Sequence, residues 1–178
     1  NVLFILVDCL RADKCWGGQR TARTPTIDFL RRKGITFLNT IATTSTTPPN
    51  VASIFTGAYP FAHGVDAVYG RKTNPNCPTL AEIFKENGYT TYAEVTGPLF
   101  PETGLDRGFD YYNFREWRGE LNDFYSGWGD SLIRKMKNNE FDAPWFLFVH
   151  FFELHNHVAR RRVLPECNNN NSGKNTYE

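Results

Sequence analysis

The sequence begins with the stretch NVLFILVD, residues 1–8, in which a run of Val, Leu, Phe and Ile leads directly into an aspartate. A continuous apolar run of this length, without alternating polar residues, is typical of a buried strand in a parallel sheet. In open α/β sheets, ligands bind just beyond the carboxyl ends of the strands. We therefore expect a buried first strand over residues 1–7 and a functional position at Asp8.

A helix followed by a strand is predicted twice further along the chain. Residues 21–37, TARTPTIDFLRRKGITF, have a Thr-Pro start and a basic end closed by a glycine. These signals predict a helix and then a short strand near residues 35–38. Residues 77–95, CPTLAEIFKENGYTTYAEV, repeat the scheme, with Thr79 as the helix cap, Gly88 as the stop and a strand at the end.

The remaining segments extend the same alternation. Residues 97–118 are rich in Gly, Pro and aromatic residues and predict an irregular excursion, whereas Asp130–Lys137 predicts a helix. Residues 144–155, PWFLFVHFFELH, predict a second buried strand with polar residues at its end. Strands that alternate with helices indicate a parallel or mostly parallel α/β sheet. The polar residues 165–175 predict a loop or disorder.

The composition excludes some function classes and leaves others open. The 178 residues suit one domain, and a net charge of +1 gives no electrostatic reason to expect a nucleic-acid partner. We expect no membrane segment, because no apolar run approaches the roughly 20 residues that span a bilayer. The apolar run at residues 1–7 also lacks the basic leader and the cleavage site of a signal peptide, which favours a cytoplasmic location. The four cysteines form no CxxC pair and are interpreted as buried or free thiols.

Residues 43–57, TTSTTPPNVASIFTG, combine a run of hydroxyl side chains with a helix start. Thr47 precedes two prolines, which are favoured in the first turn of a helix, so its hydroxyl fits the role of a helix cap. The same position suits a nucleophile, because unpaired N–H groups and the helix dipole stabilise an anionic group there. A metal held by Asp8 would lower the pKa of that hydroxyl. The residues alone leave both roles open.

Several motifs, in order, resemble the sulfatase family within the alkaline-phosphatase-like superfamily. They comprise NVLFILVDCLRAD (1–13), TPTIDFLRRKGITFLNTIA (24–42), TTPPNVASIFTGAYPFAHGV (46–65), TLAEIFKENGYTTYAEV (79–95), LDRGFDYY (105–112) and FLFVHFFELHNH (146–157). The resemblance implies a three-layer α/β/α sandwich with a mostly parallel central sheet. It also implies that residues 1–178 are the N-terminal portion of a catalytic domain.

The resemblance implies a site and a chemistry as well. The chain would be part of a metal-dependent hydrolase of sulfate or phosphate esters, with Thr47 as the nucleophile and Asp8 and Thr47 as metal ligands. His155 corresponds to a histidine that contacts the leaving group. The divalent ion, Ca, Mg, Mn or Zn, is not distinguished by the sequence. The expected substrate is an anionic small molecule or a glycan or lipid ester, and a homo-oligomer is left open.

Four positions depart from the family pattern. Thr47 cannot become the formylglycine that sulfatases make from Cys or Ser, and Val51 stands where the signature has an arginine. Thr96 and Gly97 stand in the region of a Gly-Lys pair, and Cys9 replaces a second metal aspartate. A threonine nucleophile resembles the branches that transfer phosphoglycerol or phosphoethanolamine. Alternatives to the hydrolase are therefore a phosphoryl-group transferase or a non-catalytic anion-binding pseudoenzyme.

The family completes its metal site with a downstream Asp-His-Gly-type segment that does not follow the FELH motif here. We therefore expect residues 1–178 alone to bind metal weakly and to lack catalytic competence. Among the other polar residues, Arg11 is interpreted as pairing with Asp13, and His63 as structural. His150 alternates along its strand and is interpreted as a buried residue. The run 160–162, three arginines, is either a contact for an anionic substrate or a solvated face.

Overall fold

The computed structural model describes residues 1–115 and 127–155. Within them, four strands form one parallel sheet in the order β1-β4-β2-β3. The strands are β1 (Val2–Val7), β2 (Thr90–Thr96), β3 (Tyr111–Arg115) and β4 (Trp145–Phe151). The helices are α1 (Ala12–Cys15), α2 (Pro25–Lys33), α3 (Thr47–Thr56), α4 (Pro60–His63), α5 (Leu80–Glu86) and α6 (Gly129–Lys137), with a 3-10 turn at Pro101–Thr103.

Alternate side chains of the central strand β4 point into two separate cores. Phe146 and Phe148 are buried in one core, together with residues of α3 and α5. Leu147 and Val149 are buried in the other, together with Leu132 of α6. Helices on both faces of a parallel sheet make the three-layer α/β/α sandwich that the resemblance implied, and that prediction is confirmed.

The first strand forms as predicted, but the prediction that it is buried on both faces is wrong for the described part of the chain. β1 lies at an edge of the described sheet and pairs with β4. Its residues Val2, Phe4 and Leu6 pack against the core on the α3 side. Leu3 and Ile5 point to the opposite face and are 43% and 48% exposed, because no described element covers that face.

Two predictions of secondary structure are also wrong. No strand forms at residues 35–38, where Ile35 and Phe37 are exposed and no described strand pairs with them. The segment 97–118 is not irregular throughout, because β3 pairs with β2 along its length. The rings of Tyr92 and Tyr111 stack across this pair at 4.9 Å, the kind of cross-strand contact that stabilises a sheet. Residues 116–118 of that segment lie outside the described residues.

The predicted helix signals around α5 and α6 are confirmed. The Thr79 hydroxyl accepts a hydrogen bond from the Glu82 N–H, and the Glu82 carboxylate accepts one from the Thr79 N–H, which makes a capping box. Gly88 follows the helix with φ of +81°, a conformation that favours glycine. Over residues 1–115 and 127–155, no helix is both long enough and apolar enough to cross a bilayer.

Candidate active site

The end of β1 and the start of α3 bring Asp8 and Thr47 into direct contact. Asp8 follows β1, and its N–H donates a 2.8 Å hydrogen bond to the carbonyl of Phe151 at the end of β4. Thr47 is the first residue of α3, and its Oγ1 donates a 2.8 Å hydrogen bond to Asp8 Oδ2. The two residues predicted as metal ligands are thus close enough to bind one ion.

Thr47 does not cap its helix, so the capping interpretation is wrong. The cap position is occupied by Thr46, whose backbone is extended with φ of −120° and ψ of 144° and whose side chain makes no capping hydrogen bond. Thr46 instead contacts Thr44 within the hydroxyl run. Because the helix begins one residue earlier than predicted, the Thr47 side chain points at the carboxylate beyond β1 rather than at the N–H groups of its own helix.

The Asp8 carboxylate is held in its ionised form. Burial alone would raise its pKa, but the contacts with the side chains of His150, Cys9 and Thr47 lower the pKa to about 2. An ionised carboxylate with such a low pKa is a poor proton acceptor at neutral pH. It is, however, well suited to binding a cation.

His155 shares a cleft with Asp8 and Thr47. The cleft has a volume of about 320 Å³, and its walls include Asp8, Cys9, Thr47 and His155. The imidazole of His155 stacks on the ring of Phe152 with 4.2 Å between centroids, and the backbone N–H of His155 donates a 3.0 Å hydrogen bond to the Phe152 carbonyl. All three predicted site residues therefore line one cavity at the carboxyl ends of β1 and β4.

Apolar side chains also line this cleft. Val68, Tyr69, Pro98 and Phe152 line it, and the Tyr69 ring lies 6.0 Å from that of Phe100. Aromatic and aliphatic walls beside a few polar groups are usual in sites that bind organic ligands. The cleft thus combines a carboxylate and hydroxyl groups with apolar side chains.

His150 is a site residue that sequence reasoning missed. Its side chain is fully buried, with Nδ1 3.0 Å from the Thr96 carbonyl and Nε2 3.5 Å from Asp8 Oδ2. The interpretation of His150 as buried is confirmed, and the structure in addition brings its imidazole next to Asp8. The parallel pairing of β1 and β4 places it opposite Leu6, two residues before Asp8. The sequence does not reveal this neighbour, because the strand order joins the first strand to the last described one.

Other residues singled out in the sequence lie outside the cleft. Arg11 and Asp13 form an exposed ion pair at 2.8 Å, as interpreted. His63 is buried between Ser53 Oγ at 2.9 Å and the Val65 N–H at 3.1 Å. Val51, in the position of the signature arginine, is 1% exposed and packs in the core.

The cysteines and the C-terminal residues can be placed in part. Cys15 is buried, Cys77 is half-buried, and Cys9 is exposed beside Asp8 with φ of +56°; none of the three forms a disulfide. Cys167, the arginines at 160–162 and the predicted loop at 165–175 lie outside the described residues.

A metal site is only partly represented in residues 1–115 and 127–155. In these residues no group of three or more His, Cys, Asp or Glu side chains converges on a point where an ion would bind. Asp8 and Thr47 offer oxygen atoms, the donors that Mg²⁺ and Ca²⁺ prefer, and a carboxylate also binds Zn²⁺. The residues present therefore fit two positions of a divalent coordination shell.

Comparison with known proteins shows the family of this chain. The sulfatase family model matches residues 1–177. The chain belongs to the sulfatase family. Mouse iduronate 2-sulfatase is 34% identical over 114 residues, which cover 62% of this chain and 20% of that protein. This sulfatase chain spans about a fifth of the length of the curated relatives it matches.

Solved structures share the fold of this sulfatase chain. A 2-O GAG sulfatase superposes with a TM-score of 0.70 and 22% identity, covering 88% of this chain and 35% of that one. The phosphonate monoester hydrolase of Agrobacterium radiobacter superposes with a TM-score of 0.68 and 21% identity, covering 88% of this chain and 41% of that one. At these identities the likeness shows the alkaline-phosphatase-like fold alone.

Proposed function

We propose that the protein containing this chain is a metal-dependent hydrolase of sulfate or phosphate esters with Thr47 as its nucleophile. The observation that carries the proposal is the 2.8 Å contact of Thr47 Oγ1 with Asp8 Oδ2, in a cleft that His155 also lines. A hydroxyl on a carboxylate, beside a histidine and at a sheet edge where ligands bind, is arranged for ester chemistry. Membership of the sulfatase family supports the same reaction class.

Each of the three residues has a distinct role in the proposed reaction. Thr47 Oγ1 loses its proton to solvent water and attacks the sulfur or phosphorus atom, and the bond between that atom and the leaving-group oxygen breaks. His155, in its protonated form, gives a proton to the departing oxygen. Water then hydrolyses the ester formed on Thr47 and regenerates the hydroxyl. Asp8, with a pKa of about 2, remains ionised throughout and binds the cation rather than taking the proton.

A divalent metal bound to Asp8 and Thr47 would lower the pKa of the hydroxyl and balance the charge of the ester. The N-terminal end of α3 contributes to the same balance, because Thr47 is its first residue and the positive end of the helix dipole faces the cleft. These two effects compensate in part for Val51, which contributes no positive charge where the family signature has an arginine.

Phosphoryl chemistry is the second candidate, in hydrolase or transferase form. Thr47 is a threonine, which cannot be converted to formylglycine, and a phosphonate monoester hydrolase shares the fold. The replaced arginine and lysine positions also fit a pseudoenzyme that binds an anion without turnover. The apolar wall at Tyr69 and Phe152 fits the organic part of an ester, in a small molecule, a glycan or a lipid.

The deciding experiment is a substrate panel on the full-length protein. Turnover of an aryl sulfate, a phosphate monoester, a phosphodiester and a phosphonate monoester is measured with Mg²⁺, Ca²⁺, Mn²⁺ and Zn²⁺ and after chelation. Metal-dependent hydrolysis of one ester class supports the proposal and identifies the transferred group. Transfer to an added alcohol in place of water identifies a transferase. Tight metal binding without turnover of any substrate supports the pseudoenzyme and overturns the catalytic proposal.

A further inference from the structure

His150 connects the ends of three neighbouring strands through one buried imidazole. It lies on β4, in the middle of β1, β4 and β2. Its Nδ1 contacts the carbonyl of Thr96, the last residue of β2, and its Nε2 faces Asp8, the residue after β1. Since a carbonyl only accepts hydrogen bonds, Nδ1 carries a proton and donates it to Thr96. This hydrogen bond fixes the ring so that Nε2 points at Asp8.

The second nitrogen of this ring has an unusual environment. Nε2 is buried, and no hydrogen-bond partner reaches it among the described residues. Leaving a buried polar atom without a hydrogen bond costs about 1–3 kcal/mol. The charged atom facing it is Asp8 Oδ2 at 3.5 Å, beyond hydrogen-bond length but within ion-pair distance. A residue that only filled space here would avoid this cost by being apolar.

Both Thr47 and His150 act on the same carboxylate oxygen. Thr47 Oγ1 lies 2.8 Å from Asp8 Oδ2 and His150 Nε2 lies 3.5 Å from it. Contacts on one oxygen from α3 and from β4 restrict rotation of the carboxylate about its side-chain bonds.

The other fully buried histidine shows what a purely structural role looks like. His63 satisfies its two nitrogens with Ser53 Oγ at 2.9 Å and the Val65 N–H at 3.1 Å, both within ten residues in sequence. It does not line the cleft and does not contact Asp8. His150, by contrast, joins residues far apart in sequence and directs its remaining nitrogen at the site.

We infer that His150 is a positioning residue that fixes the Asp8 carboxylate for cation binding and for its contact with Thr47. The inference rests on the site proposed above and assigns a role to a residue that does not touch the substrate. Residues that orient a metal-binding carboxylate are known to change metal affinity by 10–100-fold when they are replaced.

The test compares two variants at position 150 with a control at an equally buried position. Mn²⁺ is titrated calorimetrically into the full-length parent, His150→Phe, His150→Gln and His63→Phe, and thermal unfolding is recorded for each. His150→Phe is expected to raise the Kd for Mn²⁺ about 10–100-fold. His150→Gln restores part of the affinity, because its amide can donate to Asp8. His63→Phe lowers Tm without changing the Kd.

An unchanged Kd in His150→Phe, or an equal increase in His63→Phe, overturns the inference. If the parent binds no Mn²⁺, the metal part of the proposed function fails, and the positioning role is then judged on crystal structures of the metal-free proteins. The hydrogen bond from Thr47 Oγ1 to Asp8 Oδ2, 2.8 Å long in the parent, should be lost in His150→Phe and kept in His150→Gln. A hydrogen bond kept in both variants overturns the inference.

Discussion

Thr47 Oγ1 donates a 2.8 Å hydrogen bond to Asp8 Oδ2 across 39 residues of sequence. The contact exists because the carboxyl end of β1 and the N-terminal end of α3 lie at the same edge of the sheet. Nothing local requires it, since Thr47 makes no capping hydrogen bond. The hydroxyl thus binds a carboxylate that is distant in sequence and lines a cleft, and it does not cap its own helix.

Replacement of Thr47 should therefore separate activity from stability. In the full-length protein, Thr47→Ala is expected to abolish turnover while lowering the free energy of unfolding by about 1.5–3 kcal/mol, the worth of one hydrogen bond to a charged group. Thr46→Ala is the matched control, because Thr46 also lines the cleft and carries a hydroxyl that does not contact Asp8. Rates and urea unfolding are measured for both, and full activity in Thr47→Ala contradicts the nucleophile assignment.

The pKa of Asp8 predicts how acid affects the metal-free protein. A pKa lowered from 3.8 to about 2 in the folded state means that Asp8 stabilises the fold above pH 3.8. This contribution is lost as the pH falls from 3.8 towards 2, when the unfolded chain takes up the proton first. Unfolding free energy measured over that interval should fall more steeply in the parent than in Asp8→Asn. Parallel curves for the two proteins would show that Asp8 is not stabilised as an anion.

Much of the site could be predicted because its signals are local or come from matching motifs. Asp8 follows an apolar run, Thr47 precedes two prolines, and His155 ends a second apolar run, so each is visible without the fold. The contact of His150 with Asp8 could not be predicted in this way, because it depends on strand order. The alternation of apolar and polar residues along a strand shows neither that β1 pairs with β4 nor where the imidazole points.

The errors in the fold have a similar origin. Residues 35–38 have the composition of a strand but no described partner strand, and backbone pairing rather than composition makes a strand. β3 was missed because its aromatic residues stand among glycines and prolines, although they stack well on β2. The sequence allows Thr47 as a cap because the two prolines predict a helix start one residue later than the observed one, an ordinary uncertainty of helix boundaries.

The capping box at the start of α5 gives a prediction about stability alone. Thr79 is fully buried, accepts from the Glu82 N–H at 3.1 Å and donates to the Arg107 carbonyl at 3.0 Å. Thr79→Ala should lower the free energy of unfolding by about 1–2 kcal/mol, because both partners lose the hydroxyl. Thr79→Ser keeps the hydroxyl and should recover most of that loss in chemical denaturation. Equal destabilisation in Thr79→Ser and Thr79→Ala would show that the lost methyl group of Thr79, and not its hydroxyl, causes the effect.

Metal affinity should depend on ligands beyond the described pair. Asp8 and Thr47 provide two positions, whereas Mg²⁺ or Ca²⁺ takes about six oxygen ligands and Zn²⁺ about four ligands. A polypeptide limited to residues 1–178 is therefore expected to bind Zn²⁺, Mn²⁺, Mg²⁺ and Ca²⁺ with affinities weaker than micromolar in calorimetric titrations. Submicromolar binding of any of them would show that other residues of this stretch complete a site, and Cys9→Ser would test the thiol beside Asp8.

The role of His155 predicts a dependence on the leaving group. A proton given to the departing oxygen matters most when the leaving alcohol has a high pKa and little when it is an acidic phenol, and general acid catalysis contributes about 10²–10⁴-fold. His155→Asn should therefore reduce kcat by that range for an alkyl ester and only slightly for a 4-nitrophenyl ester. His155 also stacks on Phe152, so Phe152→Leu controls for a displaced ring and should affect both substrates alike. The measurement is the rate of full-length His155→Asn on the two esters. An equal loss of rate on both substrates would contradict a role in proton transfer and indicate that His155 only binds the substrate.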